Sequence, residues 1–216
     1  MPGVPAQDRF PVASPRFALT LLALYVGWWA YWAVDPLYPD DWLLENVLVA
    51  IAVPLACYSH FRIRFSAYAL AALFLFLCLH ALGAHYTYAE VPYRQWLGLA
   101  HDGRNHFDRG VHFLFGALVM PAYLELLSRR AALQGIWRVI MPIAFLMAQS
   151  ELYEIIEWQA ALRFGGELGM AYLGTQGDVW DAQKDSAAAA LGAIIGLVAY
   201  KAALRLCRRP DKPGPR

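Results

Sequence analysis

The nine residues Arg104 to His112 (Arg-Asn-His-Phe-Asp-Arg-Gly-Val-His) hold two guanidiniums, a carboxylate and two imidazoles, and an apolar run, 113–127, follows directly. On a helix, positions four apart share a face, so Arg104, Asp108 and His112 are expected to form one column. A cation, a carboxylate and an imidazole at the mouth of an apolar helix are costly unless partnered. The chemistry this trio suits is general acid–base work by His112, with Asp108 and Arg104 fixing it, or phosphate binding by Arg104.

Partners are available elsewhere in the chain. His80, His85, Glu90 and His101 precede the stretch, and Glu151, Glu154 and Glu157 follow it at steps of three. Asp178, Asp181 and Asp185, at steps of three and four, are expected on one narrow helix face. Three carboxylates there repel unless a cation or shared protons intervene. Asp178, Asp181, Asp185 and His112 are therefore the metal-ligand candidates, and an unspecified divalent ion is the cofactor they suit. Glu154 joins His112, Asp108 and Arg104 as a catalytic candidate. Each group also has a plainer reading: His80 and His101 as core or interfacial histidines, Arg104 with Asp108 as a structural ion pair, Glu157 as a solvated acid. Gly192 and Gly196 lie in an alanine-rich run and read as a close-packing surface.

The elements that must position these groups are membrane helices. Of 216 residues, 59% are hydrophobic and 16% charged, with a mean hydropathy of +0.38; a soluble domain carries about a quarter charged residues. Many of the eight tryptophans lie near the ends of apolar runs, as an interfacial belt requires. Six spans are expected, near 17–34, 43–58, 65–82, 110–127, 139–158 and 179–204. The second is short and carries Glu45 and Pro54, so a tilt or kink is expected there. The aromatic end of the first span, with Trp28, Trp29 and Trp32, argues for a retained anchor rather than a cleaved signal. Residues 1–16 and 207–216 read as coil tails, and 17–206 as a single six-helix domain.

Counting basic residues by side puts 13 of the 18 Lys and Arg on the face holding both termini. The positive-inside rule makes that face cytoplasmic and turns the two long loops outward. The net charge of +1 and the lack of a basic–aromatic patch exclude nucleic acid as an expected partner. Cys57, Cys78 and Cys207 are too scattered for a disulfide framework or metal knuckle and read as packing residues. No P-loop, dinucleotide fingerprint, serine elbow or His-Glu-x-x-His helix occurs.

Four segments carry a resemblance: 85–92 (His-Tyr-Thr-Tyr-Ala-Glu-Val-Pro), 104–112, Glu154 with Glu157-Trp158, and Leu173 to Asp185 with its Gly-Thr-Gln-Gly-Asp-Val-Trp-Asp run. Together they resemble the YjdF family of bacterial inner-membrane proteins, over roughly residues 20 to 205. That family is a domain of unknown function, so the resemblance implies fold and site rather than a reaction. It adds His85, Glu90, Asn105, Gln176 and Trp180 as substrate-binding candidates. Phe115 departs from the polar residue expected there. Asp108 with His112, Glu154, and Asp181 with Asp185 ahead of Gly192-Ala193 are also similar to VanZ-like membrane proteins, which points toward cell-envelope lipids or glycans.

The sequence thus predicts an all-α integral membrane bundle with an outward-facing acidic–histidine site. An enzyme acting on a membrane lipid or lipid-linked envelope precursor is the first functional expectation. A proton- or cation-coupled transporter is the second, disfavoured by the apolar inner halves of the spans. A structural subunit using the cluster as a clamp is the third.

Overall fold

The computed structural model describes residues 10–100, 103–131 and 133–207. Ser14 caps the first helix, its hydroxyl accepting from the Phe17 N–H at 3.2 Å, and Pro15 sits where its missing N–H costs nothing. Helix α1 runs Pro15–Trp32 and α2 Pro39–Ile63, the latter opened by Pro39, Asp40 and Asp41. Arg64, left-handed at φ 64°, ends α2, and Ser66 immediately caps α3, Ala67–His85. One short turn, α4 (Tyr93–Trp96), interrupts the long connection to α5, Phe107–Arg130. Helix α6 covers Trp137–Phe164, α7 Gly166–Leu173 and α8 Asp181–Cys207. Among the described residues there is no sheet, and one isolated bridge joins Val12 to Ser66.

Five of these helices, α2, α3, α5, α6 and α8, are long and apolar enough to cross a membrane. Helix α1, with 18 residues, is not among them, yet it packs along α3 as the bundle's outer member. The second span differs most from expectation. It has 25 residues rather than a short apolar core, a length of about 37 Å at 1.5 Å per residue. Proline at the first position and acids in the first turn suit a helix N-terminus, so polar residues lengthen the helix beyond its apolar stretch. It also continues through Pro54.

Helices α5 and α8 form the central pair, with α3 and α6 packed beside them. Glycine makes their approach close. A Cβ on Gly192 would lie 1.9 Å from the Phe113 carbonyl oxygen, and one on Gly116 2.1 Å from that of Ala189. Val119, Met120, Leu146, Ala193 and Leu197 fill the core beside this seam. Leu19, Val26, Leu43, Ile51, Phe61 and Val198 are among many large apolar residues left on the outside; their partner is hydrocarbon, since a soluble surface does not carry so many. Cys57 and Cys207 share that surface, so they are free thiols rather than packing residues.

The chain does not begin with loose coil at residue 10. Phe10 is buried against Tyr68, stacked at 5.0 Å, and against Tyr200, edge-on at 5.1 Å, while Ala13 N–H donates to the Phe65 carbonyl at 3.0 Å. This end of the bundle also holds Glu125, which accepts from the Ser66 N–H at 2.8 Å, the Ser66 hydroxyl and the Tyr200 hydroxyl at 3.4 Å. The opposite end holds the polar residues singled out in the sequence.

Candidate functional site

Helix α5 starts at Phe107, so Arg104 precedes it and does not stand in column with Asp108 and His112. The remaining pair keeps its one-turn spacing: His112 Nε2 lies 3.6 Å from Asp108 Oδ1. The same nitrogen lies 3.6 Å from Glu154 Oε1, brought by α6. Both distances are just beyond a hydrogen bond. All three side chains are about nine-tenths buried.

Arg104 instead crosses to the loop before α8, donating to the Thr175 carbonyl and to Asp181 Oδ1. Arg109 is the second hub. It donates to Asp181 at 2.8 Å, Asp185 at 3.2 Å and Asp178 at 3.4 Å. Asp181 and Asp185 open α8 one turn apart, both buried, whereas Asp178 lies in the turn before it. There Asp178 takes Lys184 at 2.6 Å and the Trp180 N–H at 3.1 Å. The Lys184 hydrogen bond, helped by Trp180, holds the Asp178 carboxyl down at about 2. The carboxylates gathered at metal-like spacing are Asp108, Asp181 and Asp185, with oxygens within 4.8 Å of one another.

A further set of acids extends this cluster toward α2. Glu45 is buried and accepts from the Tyr153 hydroxyl at 3.0 Å, with Asp41 and Asp108 the acids facing it. Glu157 is buried too, within hydrogen-bonding range of Glu154 and Tyr153. Both Asp41 oxygens are buried without a hydrogen-bond partner among the described residues. Carboxylates this close repel unless cations or protons lie among them. The two arginines meet that need on the α8 side, while Glu45, Asp41 and Glu157 have no ion pair among the described residues.

A cavity of about 420 Å³ opens beside this cluster, between α2 and the faces of α3, α5 and α6. Its walls are apolar, with Leu48, Ala52, Leu55, Phe76 and Ile156 among them, and Asp108 and His112 are part of its lining. The acid–imidazole pair therefore meets an apolar chamber on one side and an arginine-bridged acidic face on the other.

The family model described as "Predicted membrane protein (DUF2238)" matches residues 17–205, nearly the whole span of the bundle. The chain belongs to this family. The inner membrane protein YjdF of Escherichia coli (strain K12) is 36% identical over 190 residues, which is 86% of each chain. No solved structure matches.

In this member of the family, Arg104, Asp108, His112, Glu154, Asp181 and Asp185 come together at one end of the bundle. Asp178 reaches the group through Arg109. The substrate-binding candidates have other neighbours. His85 Nδ1 meets the Trp32 carbonyl at 2.9 Å, and Glu90 accepts from Tyr38 at 3.2 Å. Asn105 and Gln176 lock two loops reciprocally, Asn105 N–H to Oε1 at 2.8 Å and Gln176 Nε2 to the Asn105 carbonyl at 2.9 Å. Trp180 is exposed. His101 lies outside the described residues. Glu157, read as solvated in its plainer version, is buried.

Sequence reasoning underrated Arg109, Asp41 and Glu45, and did not weigh Tyr153 or Glu125. Asp41 and Glu45 had a usable signal, two acids one turn apart at the start of a membrane helix. Tyr153 gives none, since a tyrosine on a membrane helix is ordinary.

Proposed function

We propose that this protein acts on a lipid or lipid-linked envelope substrate by acid–base chemistry at the outer face of the bacterial inner membrane. The observation that carries the reading is the apolar cavity having Asp108 and His112 in its lining. A water-soluble substrate needs no such chamber, whereas an acyl or polyprenyl chain does. His112 takes and returns the proton. Asp108 and Glu154 flank its Nε2 at equal distance and stabilise the imidazole when it is charged. Arg104 and Arg109, lying together on Asp181, are the groups that suit a phosphate or other anionic part of the substrate. The inner-membrane setting follows the YjdF relative's printed name, and the outward orientation follows the distribution of Lys and Arg.

A second reading has one observation behind it, the 4.8 Å grouping of Asp108, Asp181 and Asp185 as ligands of a divalent ion. Two guanidiniums already on Asp181 compete with a cation there, so the acid–base reading is preferred.

The test is turnover of radiolabelled phosphatidylethanolamine, phosphatidylglycerol and polyprenyl pyrophosphate in vesicles carrying purified protein, followed by chromatography. His112→Ala is expected to slow product formation by about 10²- to 10⁴-fold, and Asp108→Asn to slow it in the same direction. No product from the wild-type protein with any of the three lipids would refute the reading. Inhibition by chelator, reversed by added Mg or Mn, would transfer it to the metal version.

A further inference from the structure

The end of the bundle away from the acid–imidazole site is nearly free of acids. Residues 46–89 and 109–150 hold one Asp or Glu between them, Glu125, and it is buried. Against it stand Arg62 and Arg64, where α2 ends, and Arg129 and Arg130, where α5 ends. The fold draws these four together rather than spreading them. Arg129 Nη1 donates to the carbonyls of Ile63 and Arg64, and Arg130 Nη2 to that of Arg62 at 3.1 Å. Arg129 thereby fastens α5 to the α2–α3 link, with Glu125 3.7 Å away as its counter-ion. Arg62, Arg64 and Arg130 are exposed and have no ion pair among the described residues. Arg64 also holds φ 64°, a left-handed position where glycine is the unstrained residue, so a guanidinium is kept here against a backbone cost.

Helix ends account for part of this charge. Each C-terminus carries about half a negative charge, so the ends of α2 and α5 together offset one arginine, and Glu125 offsets a second. About two positive charges remain uncompensated. Cations gathered at one spot repel, and an anion among them relieves the repulsion. Guanidinium forks match phosphate oxygens in geometry as well as charge. The adjoining surface indicates what carries the phosphate. Arg62 lies over the Tyr58 ring, 5.9 Å from its centroid, and Tyr58 and Phe61 are 59% and 80% exposed. These rings stand on the hydrocarbon-facing side of α2 at the level where a headgroup meets its chains. A soluble phosphate compound gains nothing from them. A zwitterionic headgroup brings its own ammonium to a spot already cationic, whereas an anionic phosphodiester does not.

We propose that the α2–α3 link and the end of α5 bind the phosphodiester of an anionic phospholipid, held by Arg62, Arg64 and Arg130, with its chains beside Tyr58 and Phe61. The distribution of Lys and Arg assigns this end to the cytoplasmic leaflet, where basic pockets between helices take acidic headgroups. The site lies away from the acid–base cluster and does not depend on it.

The test titrates full-length protein in dodecyl maltoside micelles with phosphatidylglycerol, with phosphatidylcholine of the same chains, and with inorganic phosphate. Native mass spectrometry counts retained lipid while thermal unfolding is followed in parallel. Phosphatidylglycerol is expected to be retained and to raise the melting temperature, phosphatidylcholine to bind at least about tenfold more weakly, and inorganic phosphate at equal concentration to do nothing. Arg62→Gln and Arg130→Gln should each weaken phosphatidylglycerol binding about tenfold, the effect of one lost charge-assisted hydrogen bond. Arg205→Gln, in the last turn of α8 and outside the proposed site, should leave it unchanged. Equal retention of the two lipids would overturn the proposal, and that comparison on the wild-type protein decides even if a variant does not fold. Retention indifferent to Arg62→Gln and Arg130→Gln would place the lipid elsewhere, and an equal loss in Arg205→Gln would mean general surface charge; either overturns the proposal. Stabilisation by inorganic phosphate equal to that by phosphatidylglycerol would assign the site to free phosphate and overturn the lipid claim.

Discussion

Adding a single methyl group at Gly192 is expected to damage both fold and site. The Cβ would lie 1.9 Å from the Phe113 carbonyl oxygen and 3.1 Å from the Ala117 nitrogen, where ordinary contacts begin at 3.4 Å. Both atoms belong to the α5 backbone, which cannot rotate aside as a side chain can. The two helices must therefore part locally by about 1.5 Å, which costs the close packing on which membrane helix pairs depend. Overpacking of this kind costs about 1–3 kcal/mol, with the upper end expected when backbone opposes it. At Gly196 the same atom would be 2.5 Å from the Ala117 oxygen, so Gly196→Ala should cost less. Gly110, on α5 just before His112, has nothing within 4 Å of an added Cβ. There alanine should stabilise by up to about 1 kcal/mol through helix propensity. Unfolding in mixed micelles should rank Gly192→Ala below Gly196→Ala, and both below wild type and Gly110→Ala. Equal stability of the Gly192 and Gly110 variants would mean that α5 and α8 do not meet along this seam, and the acid–imidazole site assembled across it would fall with it.

Removing Arg109 as Arg109→Met takes the shared partner from three carboxylates. A loss of about 3 kcal/mol is expected, partly recovered by adding Asp185→Asn, and unchanged melting of the single variant would refute its bridging role. Glu125→Ala takes the shared acceptor from Ser66 and Tyr200 and the neighbouring carboxylate from Arg129, and should cost about 2–4 kcal/mol by chemical unfolding. The ordinary value for an aspartate is 3.8, and Asp178 sits at about 2 in the folded protein. Its contribution should be complete above 3.8 and vanish as the pH falls through 2. Melting curves down the acid limb should show that dependence flattened in Asp178→Asn, and identical acid limbs would count against the Lys184–Asp178 pair.

Helices were legible wherever an apolar run was bounded by a cap or a basic link. The spans expected at 65–82 and 110–127 are found at Ala67–His85 and Phe107–Arg130. The α2 boundaries were not, because hydropathy ends where Asp41 and Glu45 begin while the backbone hydrogen bonds do not. One-turn pairs such as Asp108 with His112 could be read from spacing alone, since a helix fixes them. Arg104 could not. Two residues, Asn105 and His106, separate it from the helix, and its direction is set by a loop about seventy residues away. Burial of Glu157 and Glu45 was illegible for a similar reason, as it depends on which face of α6 turns toward α2.

The Glu125 clasp bears on how the chain is built in the membrane. Its partners are distant in sequence, Ser66 before it and Tyr200 in the last helix. A chain emerging from N- to C-terminus inserts Glu125 well before Tyr200 exists, with Arg129 one turn away as its nearby counter-ion at 3.7 Å. Phe10 faces the same delay, since Tyr200 forms part of its pocket. Phe10 and Glu125 therefore meet Tyr200 only after α8 has been made, so α8 is the piece that closes these contacts. A chain stopped before it would retain an acid in the bilayer short of a partner, a mark by which unfinished copies can be told from finished ones.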